Sequence, residues 1–289
     1  MSQTTHPAIR SAGIIYRERS VEAHALALTL LQRLSARGLR TWAADRDATE
    51  RILDQLPGTD LSLVLGGDGT ILSVARLCAP LGIPILGVNF GRVGFLTELE
   101  PAEVEEKLPL YLAGDYWVDE RSMLVAELPA GPRDDQRDEQ RLIALNDIVL
   151  VRGAEPRVIR VGIWVDGHHY NTTVADGVIV STATGSTAYN LAAGGPIMHP
   201  QVKSCVITPI APHLAADRSL VLEPTANIAL ELDASSAAGI LSADGQINRD
   251  FAPGSRVVIH TDAYVTRFLR RRPATSFYRI LSAKLRDNL

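Results

Sequence analysis

Lysine is nearly missing from this chain. Of its 29 basic residues only Lys107, Lys203 and Lys284 are lysine, and none of the three follows a glycine. The Gly-Lys pair that lets a P-loop reach the β- and γ-phosphates is therefore absent from all 289 residues. Cysteine is as scarce. Cys78 and Cys205 are the two present, too few for a disulfide framework and expected as free thiols in a reducing compartment. No apolar run approaches the ~20 residues that a membrane-spanning helix needs, and residues 1–10 contain no apolar signal core. A cytoplasmic protein without a membrane partner is the expectation. Strong charge of one sign is lacking too. The net charge is −4, which gives no electrostatic basis for binding nucleic acid. His168-His169 apart, the histidines are scattered, and no zinc-spaced set of ligands occurs. Neither a Gly-x-Ser-x-Gly nucleophile elbow nor the Gly-x-Gly-x-x-Gly of dehydrogenases near the first helix is found.

What is present suits a two-domain globular chain, with 46% hydrophobic and 21% charged residues. The first hundred residues alternate strand and helix. Apolar runs at 12–16, 39–43, 61–65 and 83–88 read as strands. Ser20 caps a helix whose apolar face is Val21, Leu26, Leu30, Leu31 and Leu34 and which stops at Gly38, and a second helix spans 70–81. Such alternation argues a parallel, doubly wound sheet. After a further helix at 101–112 the texture changes to short β-branched runs at 143–151, 158–165, 177–182, 228–232 and 256–260. Asp166-Gly167 is a type I′ hairpin signal. The charged stretch 132–141 reads as a solvated hairpin tip, and helical spacing returns at 276–285. The fold class expected is an α/β domain over 1–100, a β-rich domain over 101–272, and a C-terminal segment, 273–289, whose helix packs back on the first domain.

Gly66-Gly67-Asp68-Gly69-Thr70 lies between a buried strand and a helix. Backbone amides converge there with the positive end of a helix dipole, which suits a phosphate. Glycine allows close approach and positive φ. Asp68 sits where phosphate oxygens would arrive, a place for a carboxylate that orients an attacking hydroxyl or holds Mg²⁺. A tight turn with a helix-capping Asp is the alternative. Asn89 follows the end of a strand. Asn146-Asp147 interrupts an apolar strand, for which a ligand contact or a β-bulge are the two explanations. Thr184-Gly185-Ser186-Thr187 forms a second strand-to-helix entry, a neutral cradle rich in hydroxyl and amide donors.

Taken together, these segments resemble the NAD kinase family. Gly-Gly-Asp-Gly after a strand is shared with lipid kinases of the diacylglycerol type and with 6-phosphofructokinases. The later blocks separate them: residues 87–98 (Gly-Val-Asn-Phe-Gly-Arg-Val-Gly-Phe-Leu-Thr-Glu), Asn146-Asp147, Asp176-Gly177, residues 182–189, Gly194-Gly195-Pro196-Ile197 and Asp244-Gly245-Gln246. They run in the family's order. Ala183 departs from it, standing where the family usually has proline. The resemblance implies transfer of the γ-phosphoryl of ATP to the 2′-hydroxyl of NAD's adenosine ribose, with Mg²⁺ entering on ATP, no direct metal ligand assigned, and a homo-oligomer. It gives Asp68 the catalytic role. As nucleotide contacts it implies Gly66, Gly67, Gly69, Thr70, Asn89, Asn146, Asp147, Arg157, Asp176, Gly185, Ser186, Thr187, Ala188, Tyr189, Asn190, Leu191, Ala192 and Gln246. A lipid kinase would keep Asp68 but leaves the 185–189 block and Asn146-Asp147 without a reason. A non-catalytic NAD-binding regulator would keep the pocket and have no use for Asp68.

Overall fold

A computed structural model describes residues 8–91, 94–129, 141–155, 157–213, 218–261 and 264–287. Most of the charged stretch 132–141, and Arg92 and Val93 of the second motif, lie outside them. The chain divides into two compact units, one comprising the residues up to Glu120 and from Thr266 onward, the other Arg121–Val265.

In the first stretch β1 (Ser11–Tyr16), α1 (Val21–Ala36), β2 (Arg40–Asp45), α2 (Thr49–Gln55), β3 (Leu61–Leu65), α3 (Asp68–Cys78) and β4 (Ile85–Val88) alternate, followed by α4 (Val104–Leu112) and β5 (Trp117–Ser122). Then come β6 (Leu124–Glu127), β7 (Arg141–Ala144), β8 (Asp147–Arg152), β9 (Ile159–Val165), β10 (His168–Ala175), β11 (Gly177–Thr182), α5 (Tyr189–Ala192), β12 (Cys205–Ile210), β13 (Leu220–Leu222), β14 (Ile228–Leu232), β15 (Gly239–Ala243), β16 (Ile247–Phe251) and β17 (Arg256–His260). The chain closes with β18 (Val265–Arg270) and α6 (Ser276–Asp287).

The first unit is built on a sheet of order β2-β1-β3-β4-β18-β5, with β1 parallel to β2 and β3, and β4 parallel to β3 and β18. The sequence texture placed domain limits at 100/101 and 272/273. The compact units meet instead at 120/121 and 265/266, because β5 and β18 lie in the β-rich stretch yet complete this sheet. Ser20 caps α1, its hydroxyl accepting from the Ala23 amide at 3.3 Å, and Gly38 ends the turn at φ +84°. The buried stripe is Ala23, Ala27, Leu30 and Leu34. Val21, expected on that face, is 81% exposed, since at 3.6 residues per turn it stands on the side of the helix opposite Ala23 and Leu30. Ala12 of β1 and the small stripe residues Ala23 and Ala27 let α1 and the sheet close on a core that includes Leu63, Leu65, Leu86 and Tyr111. At the far end of the chain α6 returns to this unit, where the Phe277 ring packs tilted against Phe95 with centroids 5.8 Å apart and the Lys284 ammonium lies 5.1 Å over the Phe95 ring.

The second unit is a sandwich of two sheets, β10-β9-β14-β17-β6-β7 and β13-β12-β11-β8-β15-β16. Alternate residues of both sheets, among them Ile148, Leu150, Val161, Val178, Ile207, Leu230, Leu241 and Ile259, share one core. Asp166 and Gly167 both take positive φ, 49° and 81°, as the type I′ turn between β9 and β10 requires. The single strand expected over 143–151 is two strands, β7 and β8, in different sheets. Leu145-Asn146 is the corner at which the chain crosses from one sheet to the other. The misfit of Asn146 in an apolar strand therefore reflects a corner and not a β-bulge.

Candidate active site

In the first sheet β1 is flanked by β2 on one side and β3 on the other. Strand order reverses between β1 and β3, and open α/β sheets bind ligands at the carboxyl ends of the strands at such a point. The β1–α1 and β3–α3 turns meet there around a concavity of about 290 Å³ lined by Arg17, Arg19, Ser20, Leu65, Gly66, Gly67, Thr70 and Phe90. Two guanidinium groups and the starts of two helices give it the character of an anion site. No sequence motif marks Arg17 and Arg19. Their position just past the end of β1, next to β3, is the signal that finds them.

Gly67 is the N-cap of α3 and Asp68 its first residue. Positive φ was expected of the turn glycines, but Gly66, Gly67 and Gly69 do not adopt it, and Gly67 is extended at φ −93°, ψ −173°. The α3 start is reached directly from an extended strand end, so no left-handed residue is needed. Gly66 is confined by the Thr70 side chain, while a Cβ at Gly67 would meet nothing within 4 Å. Asp68 turns its carboxylate onto the loop that follows β4: Oδ2 accepts from the Phe95 amide at 3.0 Å and Oδ1 from the Leu96 amide at 3.1 Å. A Cβ at Gly94 would stand 2.0 Å from Asp68 Oδ1, so this approach demands glycine there. Asn89 is 4% exposed and engaged within its own turn. Its Nδ2 donates to Glu100 and to the Gly91 carbonyl, and its Oδ1 accepts from the Gly91 amide.

In the second unit, the amides of Leu145, Asn146 and Asp147 all donate to the carboxylate of Asp244, at 3.1, 2.7 and 3.2 Å. Asp244 and Gly245 take φ of 52° and 63° in the turn between β15 and β16, which aims the carboxylate at the corner. Asp244 opens the last family-like block, where the resemblance implies a contact for Gln246 and none for Asp244; its Asp-Gly hairpin pattern is the signal that identifies the turn. Asp147 is 4% exposed. Burial, and then the charge of Asp244, raise its carboxyl pKa from 3.8 to about 7. Gly185 packs against the corner: a Cβ there would lie 2.1 Å from the Asn146 carbonyl oxygen. Its need for glycine thus comes from the chain itself, without positive φ.

The hydroxyl-rich cradle expected around Gly185 is largely closed on itself. Ser186, fully buried, donates to the Ala183 carbonyl at 2.7 Å and accepts from the Met198 amide at 2.9 Å. Thr187 donates to the Thr184 carbonyl, and the Thr184 hydroxyl accepts from Arg121. Asn190, also fully buried, bridges the Ser186 and Pro196 carbonyls and accepts from Thr208. These side chains hold the 3-10 turn of residues 185–187 and the short α5, because a loop buried this deeply must satisfy its own polar groups. Tyr189 is 45% exposed, Ala188 and Leu191 are half-buried, and Ala192 and Gln246 are exposed. Asp176 accepts from Arg152 at 3.0 Å. Arg157 lies on a separate concavity of about 370 Å³ with Glu155, Arg160, Ser235 and Ser236. Asn146, Asp147, Gly185 and Gln246 thus gather around the corner and its Asp244 turn, and Arg157 does not join them.

The ATP-NAD kinase N-terminal domain family matches residues 41–116 and the ATP-NAD kinase C-terminal domain family matches residues 145–270. The NAD kinase of Dehalococcoides mccartyi (strain CBDB1) is 40% identical over 280 residues, 96% of this chain and 97% of its own length. The chain belongs to the NAD kinase family. Another member, from Carboxydothermus hydrogenoformans, is 42% identical over 228 residues, 79% of this chain and 80% of its own. Among solved structures, an NAD kinase from Archaeoglobus fulgidus in complex with ATP superposes with a TM-score of 0.74 at 26% identity, covering 96% of this chain and 98% of that one. Yeast NADH kinase complexed with NADH gives a TM-score of 0.82 at 24% identity, covering 96% and 87%, a likeness of fold. The family's matched segments take in both the Asp68 turn and the Asn146–Gly185 corner.

Proposed function

We propose that this chain phosphorylates NAD, moving the γ-phosphoryl of ATP to the 2′-hydroxyl of the adenosine ribose to give NADP. The observation that carries the reading is a carboxylate, Asp68, held at the start of α3 beside an arginine-lined concavity at the strand-order reversal. Phosphoryl transfer asks little covalent chemistry of a protein and much positioning and charge. The glycine turn, the α3 amides, Arg17 and Arg19 supply the charge that a triphosphate requires. Asp68 orients the acceptor hydroxyl and takes its proton. Each of its oxygens already accepts one amide, and a carboxylate offers about four acceptor sites, so capacity for the hydroxyl remains.

Among the described residues no three His, Cys, Asp or Glu side chains gather as a cage for a metal ion. A single carboxylate such as that of Asp68 suits Mg²⁺ carried on ATP, since Mg²⁺ keeps several waters and is bound through one or two carboxylates plus substrate phosphates. Asp68 is the residue here that would touch it. When bound, Mg²⁺ neutralises charge developing on the β- and γ-phosphate oxygens. For the dinucleotide, the half-buried amide of Asn146, the buried carboxyl of Asp147 and exposed Tyr189 offer a diol-and-base surface around the corner. The implied homo-oligomer and cytoplasmic location belong to this reading as well.

A turnover assay tests it directly. With ATP·Mg²⁺ as donor, NADP is expected from NAD, and no product from diacylglycerol. Turnover of diacylglycerol, or binding of NAD with no turnover of any acceptor, would overturn the reading.

A further inference from the structure

Behind Asp68, within the same unit, stands a group of buried charges that neither substrate reading uses. The stretch 95–97 grips Asp68 with its amides, those of Phe95 and Leu96. Its carbonyls are gripped in turn. Arg270 Nη1 donates to the Leu96 carbonyl at 2.9 Å and to the Thr97 carbonyl at 3.2 Å. The guanidinium is 7% exposed, lies 4.8 Å over the Phe268 ring, and is paired with Glu98 through Nη1 and with Asp119 through Nε, each at 3.4 Å. Glu98, 3% exposed as a side chain, is itself fixed. Its Oε1 accepts the Tyr111 hydroxyl at 3.1 Å and the Arg271 and Arg272 amides at 2.9 Å each. Burial, and then the charge of Glu98, push the Tyr111 phenol well above its ordinary range, so it remains a donor.

Stability alone is a poor explanation for such a cluster. Taking a guanidinium and two carboxylates out of water costs several kcal/mol per ion, and apolar side chains of similar volume often do as well. What apolar side chains cannot do is donate to two consecutive carbonyls from Nη1 while Nε of the same planar group stays fixed on a carboxylate. The held peptide groups directly follow the two whose amides meet Asp68, and Leu96 belongs to both sets, its amide on Asp68 and its carbonyl on Arg270. We propose that Arg270, braced by Glu98 and Asp119, is a positioning residue that sets the place of the Asp68 carboxylate through the backbone of residues 95–97. This rests on the reading of Asp68 as the group that orients the acceptor hydroxyl.

Arg270→Lys keeps the charge and loses the planar fork. It is expected to lower kcat about 10- to 100-fold, the scale of an ångström-sized misplacement, with KM for ATP and for NAD each within about a factor of two. On an Asp68→Asn background the same substitution is expected to change kcat less than about twofold, because two residues acting through one group are not additive. Hydrogen exchange of the Phe95 and Leu96 amides should accelerate while that of β3 stays protected. An equal loss of kcat on both backgrounds, or unchanged exchange at Phe95 and Leu96, overturns the proposal. Wild-type kcat in Asp68→Asn alone would instead sink the role given to Asp68, and the exchange measurement would still judge the linkage. Should Arg270→Lys fail to fold, Tyr111→Phe loosens Glu98 by one hydrogen bond. It is expected to show the same exchange pattern with a kcat loss of about two- to fivefold, and faster exchange without any loss of kcat counts against the proposal.

Discussion

Asp68 presents both carboxylate oxygens to amide donors of the loop that follows β4. An amide side chain at this position keeps the size but turns an N–H₂ toward one of those N–H groups. Asp68→Asn is therefore expected to lower kcat by about 10²–10⁴-fold, the scale of losing a general base. It should also cost on the order of 1–3 kcal/mol of stability from the mismatched donors. NAD affinity by calorimetric titration is expected to stay near that of the wild type. A mutant with wild-type kcat rules out the proton-accepting role. The same residue scale revises the view of Gly185 and Ser186. A side chain at Gly185 meets the Asn146 carbonyl, and the Ser186 hydroxyl already has its partners. Substitutions there disturb the corner before they disturb any ligand.

Among the elements, the loop between β4 and α4 has the tightest geometric requirement. Gly94 has no side chain because the Asp68 carboxylate occupies that space, 2.0 Å from where a Cβ would stand. Gly94→Ala must displace either the carboxylate or the loop, and real Cβ contacts of that length do not occur. The expected result is a kcat loss approaching that of Asp68→Asn, with helix content by circular dichroism unchanged and a melting midpoint lowered by a few degrees. Unaltered kcat in Gly94→Ala would show that Asp68 need not rest on residues 95–96 for turnover. The β1–α1 turn makes the complementary point. Ser20 as cap and Gly38 as stop were legible because capping and positive φ are local preferences. Arg17 and Arg19 were not, because what gathers them with Gly66 and Gly67 is the order of strands in the sheet.

For the molecule as a whole, the buried carboxyl of Asp147 couples stability to pH. Its pKa is raised from 3.8 to about 7 by burial and by Asp244, so between those values the folded state holds a proton that the unfolded chain releases. Bound protons are then more numerous in the folded state, and stability falls as pH rises. The contribution is fully present below about pH 4 and lost by about pH 7 to 8. In Asp147→Asn this part of the slope should vanish. The mutant's melting midpoint is expected to gain on that of the wild type as pH is raised from about 4 to about 8. A difference between the two that stays constant across the range would place the Asp147 titration elsewhere.

Local sequence carried much of this protein. The strands at 61–65, 177–182, 228–232 and 256–260 stand where β-branched and aliphatic runs put them, because a run of that length bounded by turn residues has few other buried conformations. The Gly-Gly-Asp-Gly turn, the type I′ hairpin at Asp166-Gly167 and the family's ordered blocks were likewise legible, being patterns of adjacent residues. Tertiary structure alone decided the rest. That Asp68 docks on Phe95 and Leu96, that Arg270 holds the carbonyls of Leu96 and Thr97, and that Asp244 gathers the amides of residues 145–147 all join positions 27 to 174 apart in the chain. Hydrogen bonds at such separations depend on sheet order and on strands returning from the end of the sequence, and periodicity within a dozen residues has no access to either.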